Sequence, residues 1–323
     1  VLIPGRLPLW QRKGWAAVGR CELSLLSFVS FPVGGVCCLL LEREKTTMKT
    51  TVKTDSYNIT KNGYTVTIVS KNKAIVSGGR LPKPVTVSKL LGKGDQNPKT
   101  AKNNVPTVGL SLFPERGIGF GNVCAMAKTC VGSCLAHQGQ GSVPSVHGAR
   151  VAKTVLWFLA RDWFLAKLNR ELAAFRRRYT GTVGARLNMF SDIRWERYGV
   201  IDAHPGIQFY DYTKIPQRIG SVPDNYDLTL SYDGTNRAAA IEVLRKRGNV
   251  SVVFYNDTDK AVCGKAAHRQ VLPTSWEGFP VIDGGATDWR PDDPVGSVVG
   301  LRLLAKSYVS RDQGIASGFA VLS

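Results

Sequence analysis

The stretch from Val183 to Tyr255 reads VGARLNMFSDIRWERYGVIDAHPGIQFYDYTKIPQRIGSVPDNYDLTLSYDGTNRAAAIEVLRKRGNVSVVFY, and its alternation decides the fold class. Val183–Met189, Ile207–Tyr212, Tyr226–Ser231 and Asn249–Tyr255 are apolar, β-branched or aromatic segments that predict strands. Between them, Trp195–Ala203 predicts a short helix and Arg237–Arg247 an amphipathic one ended by Gly248. Strands alternating with helices across short connections imply parallel crossovers. Thr107–Phe113 upstream, and Pro280–Ile282 and Val298–Leu304 downstream, extend the series to seven strands. The expected architecture is α/β: a partial or open (β/α) barrel.

Such a sheet places its chemistry at the C-terminal ends of its strands. Those ends are polar here. Asn188, Ser191 and Asp192 follow one strand, and Asp211, Thr213 and Lys214 the next. Ser231, Asp233 and Asn236 come after a third, then Asn256 and Asp257, then Asp283, Asp288 and Arg290. Asp, Asn and Ser are also what loops and helix caps use, and Asp192 and Asn236, each before a helical pattern, fit that plainer role. Asp211 and Asp283 directly end apolar strands and are the stronger candidates.

After the Thr107–Phe113 strand comes GFGNVCAMAKTCVGSCLAH, Gly119–His137, which holds three of the seven cysteines in the spacing C-x5-C-x3-C. Three thiols in so short a loop suit ligation of one metal centre: an iron-sulfur cluster with one iron left open, or a zinc completed by His137. Plain thiols are the remaining reading. The spacing differs from the C-x2-C pairs of zinc ribbons and from the C-x3-C-x2-C loop of radical S-adenosylmethionine (SAM) enzymes. Cys263 stands alone as a bystander, and His147, His204 and His268 show no ligand spacing. No nucleophile elbow, H-E-x-x-H or G-x-G-x-x-G motif is present.

Of 323 residues, 43 are Lys or Arg and 24 Asp or Glu, a formal charge of +19 that calls for a polyanionic partner or a strongly solvated surface. Met48–Val105 concentrates it, with 11 basic residues against Asp55 and Asp95. Tyr64–Val69 and Lys73–Ser77 predict a small β-hairpin appendage there, and Ser88–Asn104 a basic surface loop. Ser145–Tyr179 predicts one long helix closed by Arg176–Arg178, where cations suit the helix dipole. Residues 1–47 differ in character: Leu23–Leu41 is uncharged but interrupted by Pro32, Gly34 and Gly35, and Met48 follows a purine-codable Glu-Arg-Glu-Lys. They are read as translated upstream DNA or an extension, with no membrane partner once they are set aside. The expected organisation is thus an extension over 1–47, a basic appendage over 48–105 and a barrel-like domain over 106–323.

The ordered set NVCAMAKTCVGSCL, ARVAKT, RLNMFSD, IQFYDYTK, LTLSYDGTN, PVIDGGATDWR and VVGLRLLAK resembles phage and prophage proteins related to the gene product 88 family, from Ser88 to the C-terminus. Such proteins look like compact relatives of radical SAM enzymes. The resemblance implies a [4Fe-4S] cluster on Cys124, Cys130 and Cys134 and SAM beside it, held by Asn188, Ser191, Asp192, Ser231 and Asp233. In this leading expectation the strand-end residues Asp211, Lys214 and Asp283 orient substrate, and seven cysteines, an odd number with three clustered, point to a reducing cytoplasm, that of a bacterial host. The rival expectation is a zinc-stabilised protein that binds nucleic acid through residues 48–105. A third is a non-enzymatic phage protein that engages a host component.

Overall fold

A computed structural model describes residues 56–93, 102, 104–114, 118–131, 134, 136, 143–256, 270–304 and 307–323, all within one compact unit, Val52–Ser323. The readings made for residues 1–47, Asp55, Asp95, Asp257, Cys263, His137 and His268 lie outside these. Among the described residues no helix is long and apolar enough to cross a membrane.

The chain opens with an antiparallel meander of β1 (Tyr57–Lys61), β2 (Tyr64–Ser70), β3 (Lys73–Gly78) and β4 (Val85–Val87). The predicted hairpin is therefore present as β2–β3, turning through Asn72 at its tip. It is no separate appendage. Tyr64, Val66, Ile68, Ala74, Val76 and Val87 are buried in the same core as the main sheet, so alternate residues of β2 and β3 carry the meander into the body of the protein.

Ten strands form the main sheet among the described residues. β6 (Thr107–Leu110), β7 (Gly184–Arg186), β8 (Gln208–Thr213), β9 (Tyr226–Ser231) and β10 (Val250–Tyr255) lie side by side in parallel, followed by β13 (Val298–Arg302) and β12 (Phe279–Asp283). Every strand predicted from sequence is here. Antiparallel edge strands end the run on both sides: β5 (Leu91–Lys93) on β6 and β11 (Ser275–Trp276) on β12. Among the described residues the sheet is thus open, with no closed barrel. It also branches. β9 pairs with β10 only at Leu230 and Ser231, after which β14 (Ala320–Leu322) takes over the same edge of β10.

The single long helix expected over Ser145–Tyr179 is two: α1 (Pro144–Leu159) and α2 (Arg161–Arg176), broken where Ala160 leaves helical geometry at φ −134°, ψ 51°. No Gly or Pro marks the break. Arg161 stabilises the corner, its guanidinium lying 4.5 Å from the Trp157 ring. Likewise the helix predicted from Trp195 is only a 3-10 turn, Trp195–Tyr198, stopped by Gly199 at φ +65°. α3 (Arg237–Arg245) covers β9 and β10, and α4 (Tyr308–Ala316), capped by Ser307, leads into β14.

Pairing register sorts the side chains of the central strands. Ala185, Phe209, Tyr226 and Leu228 share one face and join the core with α1 and α2. Tyr210, Tyr212, Asp227 and Thr229 share the other. On that side the loop after β12 packs down on the sheet: Arg186 pairs with Asp288 at 2.6 Å, and Trp289 meets Tyr210 edge-on at 5.0 Å. The protein's own chain therefore occupies the face that would line a barrel interior.

The branch point depends on a close glycine contact. A Cβ on Gly234, at φ +86°, would lie 2.6 Å from the Gly318 carbonyl carbon, whereas Gly199 at φ +65° has open space around it. We expect Gly234→Ala to lower unfolding free energy by about 2–4 kcal/mol, combining left-handed strain with backbone overlap. Gly199→Ala should cost about 1–2 kcal/mol from strain alone. Equal losses in urea titrations would show that the two loops are not in contact.

Candidate functional site

The site is built where β6, β7, β8 and β9 end. Beyond β6, Leu112, Phe113, Ile118 and Val123 are buried and anchor the approach to the cysteines, with the Phe113 amide donating to Thr154 Oγ1 of α1 at 2.7 Å. Local turns then shape the loop. The Cys124 amide donates to Asn122 Oδ1 at 2.9 Å, Ala127 N donates to the Cys124 carbonyl, and Cys130 sits in the 3-10 turn Thr129–Val131. Two contacts fix it to the sheet: Asp192 N donates to the Val123 carbonyl at 2.8 Å, and the Thr129 hydroxyl donates to the Asp233 carbonyl.

Cys124, Cys130 and Cys134 are all half-buried and in no disulfide. They lie close enough to act on one another. Burial, the Asp192 carboxylate and the other two cysteines push the Cys124 thiol up to about 12, with Lys214 opposing. Cys134 in turn acts on Arg150, a helix residue only 2% exposed. Two cations thus act on the loop, Lys214 on Cys124 and Arg150 with Cys134. Three soft donors backed by positive charge suit a thiophilic, anionic centre. As the loop stands, no three His, Cys, Asp or Glu side chains among the described residues converge tightly enough to hold an ion.

The polar strand ends divide into two groups. Asn188 Oδ1 accepts from Ser191 Oγ, the Ile193 amide and Trp195 Nε1, and its Nδ2 donates to the Ile193 carbonyl and Tyr226 Oη. Asp211, fully buried, accepts from the Leu187 and Asn188 amides and from Tyr226 Oη at 3.0 Å. Asp192 accepts from Thr213 Oγ1, the Lys214 amide and Arg218 Nη1, the last at 2.8 Å. Arg218 also forks onto Glu196 at 2.9 Å through both Nε and Nη2. These groups form one frame, with their bonding capacity turned inward. Asp233 similarly accepts from the Thr235 amide and hydroxyl within its own turn.

What remains at the mouth is Lys214 and Ser231, both half-buried, with Lys214 Nζ 3.5 Å from Ser231 Oγ. Asp283 lies elsewhere. It pairs with Arg302 at 2.7 Å on β12, four strand positions from β8, or about 19 Å at the usual inter-strand spacing. The three residues expected to orient a substrate, Asp211, Lys214 and Asp283, are therefore not brought together. Asn236 is also not a simple cap: its Oδ1 receives the Asp233 amide, and its Nδ2 donates to the Ser231 carbonyl.

Three participants escaped the sequence reading. Arg150 falls in the ARVAKT segment of an amphipathic helix, where its place next to buried Val151 and one turn before buried Thr154 is the available signal. Arg218 in IPQRIG reads as a loop cation, and Tyr226 as an ordinary strand aromatic.

Residues 87–318 match the family described as Gene product 88, so the chain belongs to that phage-related family. No curated protein and no solved structure matches the chain.

Asp211 offers a direct test of the frame. Burial pushes its carboxyl up to about 7, against Arg186, the Asn188 amide and Tyr226, which all favour the charged form. A carboxyl whose folded value exceeds its unfolded one contributes stability at low pH that is lost as pH rises through the folded value. We expect wild type to exceed Asp211→Asn in unfolding free energy by more at pH 5 than at pH 8, since the variant cannot ionise there. A constant difference across that window would mean that Asp211 is charged throughout.

Proposed function

We propose that this gene product 88 family protein carries an iron-sulfur centre on Cys124, Cys130 and Cys134 and uses it in a radical-type reaction. The observation that carries the proposal is three half-buried thiols on one loop after β6, with Cys124 under the influence of Cys130, Cys134 and Lys214, and Cys134 acting on Arg150. When bound, a cluster with one exchangeable iron supplies an electron and a coordination position for the amino-acid end of SAM.

The rest is the work of this chain's own groups. Cys124, Cys130 and Cys134 would hold the cluster, and part of the binding energy would go into ordering the loop. Burial that holds Cys124 protonated would be offset on ligation, since a metal-bound thiol gives up its proton. Arg150 and Lys214 balance the thiolate charge that results. Lys214 and Ser231 are the polar side chains left to meet a bound molecule. Asn188, Ser191, Asp192, Asp211 and Asp233 support this reading as its frame, and Asp283 stands outside it. A zinc held by the three cysteines and His137 is the competing occupant.

Ligands of one centre fail as a unit, whereas separate buried thiols behave additively. We expect Cys124→Ala, Cys130→Ala and Cys134→Ala each to abolish metal content to the same extent, while Cys263→Ala leaves it intact. His137→Ala should retain the metal if it is iron and lose it if it is zinc. Full metal content in the three single cysteine variants would rule out the centre.

A further inference from the structure

A groove runs between the edge of the small meander and α2, lined by Tyr57, Ile68, Lys71, Trp163, Ala166 and Arg170. Its position is fixed from both sides. Trp163 Nε1 donates to the Ser70 carbonyl at 2.9 Å, and the Arg170 guanidinium donates to the carbonyl of Lys71. The floor is apolar, and Tyr57 is 48% exposed at its rim. Tyr57 sits directly opposite Ile68 in the β1–β2 pairing, and exposed Lys73 pairs with Ser70 at the turn beside it.

The basic residues at the groove are Lys71 and Arg170, with Lys73 beside them, and the segment that supplies the lysines is basic throughout. Residues 56–93 carry Lys61, Lys71, Lys73, Arg80, Lys83, Lys89 and Lys93 and no Asp or Glu. From α2, Arg170 adds to this rim, and Asp162, one turn from Ala166, is its exposed carboxylate. Glu171 is committed inward, bound to Lys167 at 2.9 Å and to the Leu90 and Leu91 amides.

We infer that this groove is a docking surface for single-stranded nucleic acid. An exposed aromatic ring beside an apolar slot accepts an unstacked base, and flanking cations take the phosphates on either side. A duplex hides its base faces and could use only the cations. An acidic peptide would satisfy the cations and leave the slot unfilled. The surface is distinct from the cysteine loop, so it stands or falls independently of the metal centre.

The test uses the full chain and a fluorescent oligothymidylate of about twenty nucleotides, followed by anisotropy across a salt series. Affinity should fall with salt along a log–log slope of about −0.7 for each phosphate neutralised. Tyr57→Ala should weaken binding about tenfold or more while leaving that slope unchanged. The double variant Lys71→Gln, Lys73→Gln should make the slope shallower. Lys246→Gln, at an exposed lysine just past the end of α3, should change neither, and circular dichroism confirms that each variant folds. The inference is overturned by absence of binding at low salt, by a duplex of equal length binding more tightly, by polyglutamate competing as well as the oligonucleotide, or by Tyr57→Ala behaving as wild type.

Discussion

The ion pair between Asp192 and Arg218, with side chains only 3% and 4% exposed, is the constraint on which the functional end of this protein depends. Asp192 follows β7, while Arg218 belongs to the 3-10 turn after β8, so the 2.8 Å contact ties two strand ends together. The same carboxylate receives Thr213 and the backbone of Lys214, and Asp192's own amide holds the cysteine loop through Val123. Removing Arg218 from a buried pair of this kind costs about 3–5 kcal/mol, because the Asp192 and Glu196 carboxylates lose the guanidinium that matches them. Here the loss would also release the segment that carries the thiols. Position of the cysteines and stability of the sheet end thus meet at one residue, Asp192, through its amide and its carboxylate.

From that constraint follows a division of labour among polar residues. A carboxylate or amide whose lone pairs and protons are already spent within the protein serves geometry. Asn188, Asp192 and Asp211 are of this kind, each satisfied by several donors or acceptors. Lys214 and Ser231 hold only a long mutual contact and stand half-buried at the mouth. Chemistry would therefore fall to the thiols and to these two, around a frame that costs nothing to hold in place once folded. The opposite face of β7–β9 is closed by Asp288 and Trp289, which directs any bound molecule toward the strand ends.

Much of the fold was legible because buried parallel strands are written as short β-branched and aromatic runs, and each of the seven named from sequence is a strand here. Closure was not legible. Whether a parallel sheet curls into a barrel depends on what pairs with its outer strands, and Leu91–Lys93 and Ser275–Trp276, which cover those edges, are too short for periodicity to reveal. The break at Ala160 was invisible for a related reason: both halves continue a helical pattern, and the corner is stabilised by the contact of Arg161 with Trp157 rather than by a breaker residue. At the site, the cluster of cysteines could be read from spacing. The roles of Asp192 and Asp211 could not, since a strand-end carboxylate looks alike in sequence whether it meets a substrate or Arg218 and Tyr226.

The central claim, that the three cysteines act together on one centre, is tested most directly by anaerobic purification of the full chain followed by iron, acid-labile sulfide and zinc determination with an absorption spectrum. The account predicts iron and sulfide in equal amounts, close to four of each per chain, as expected for a [4Fe-4S] cluster at about full occupancy, with a broad charge-transfer band in the visible. A protein that contains neither iron nor zinc under these conditions, and takes up neither on reconstitution, would contradict it.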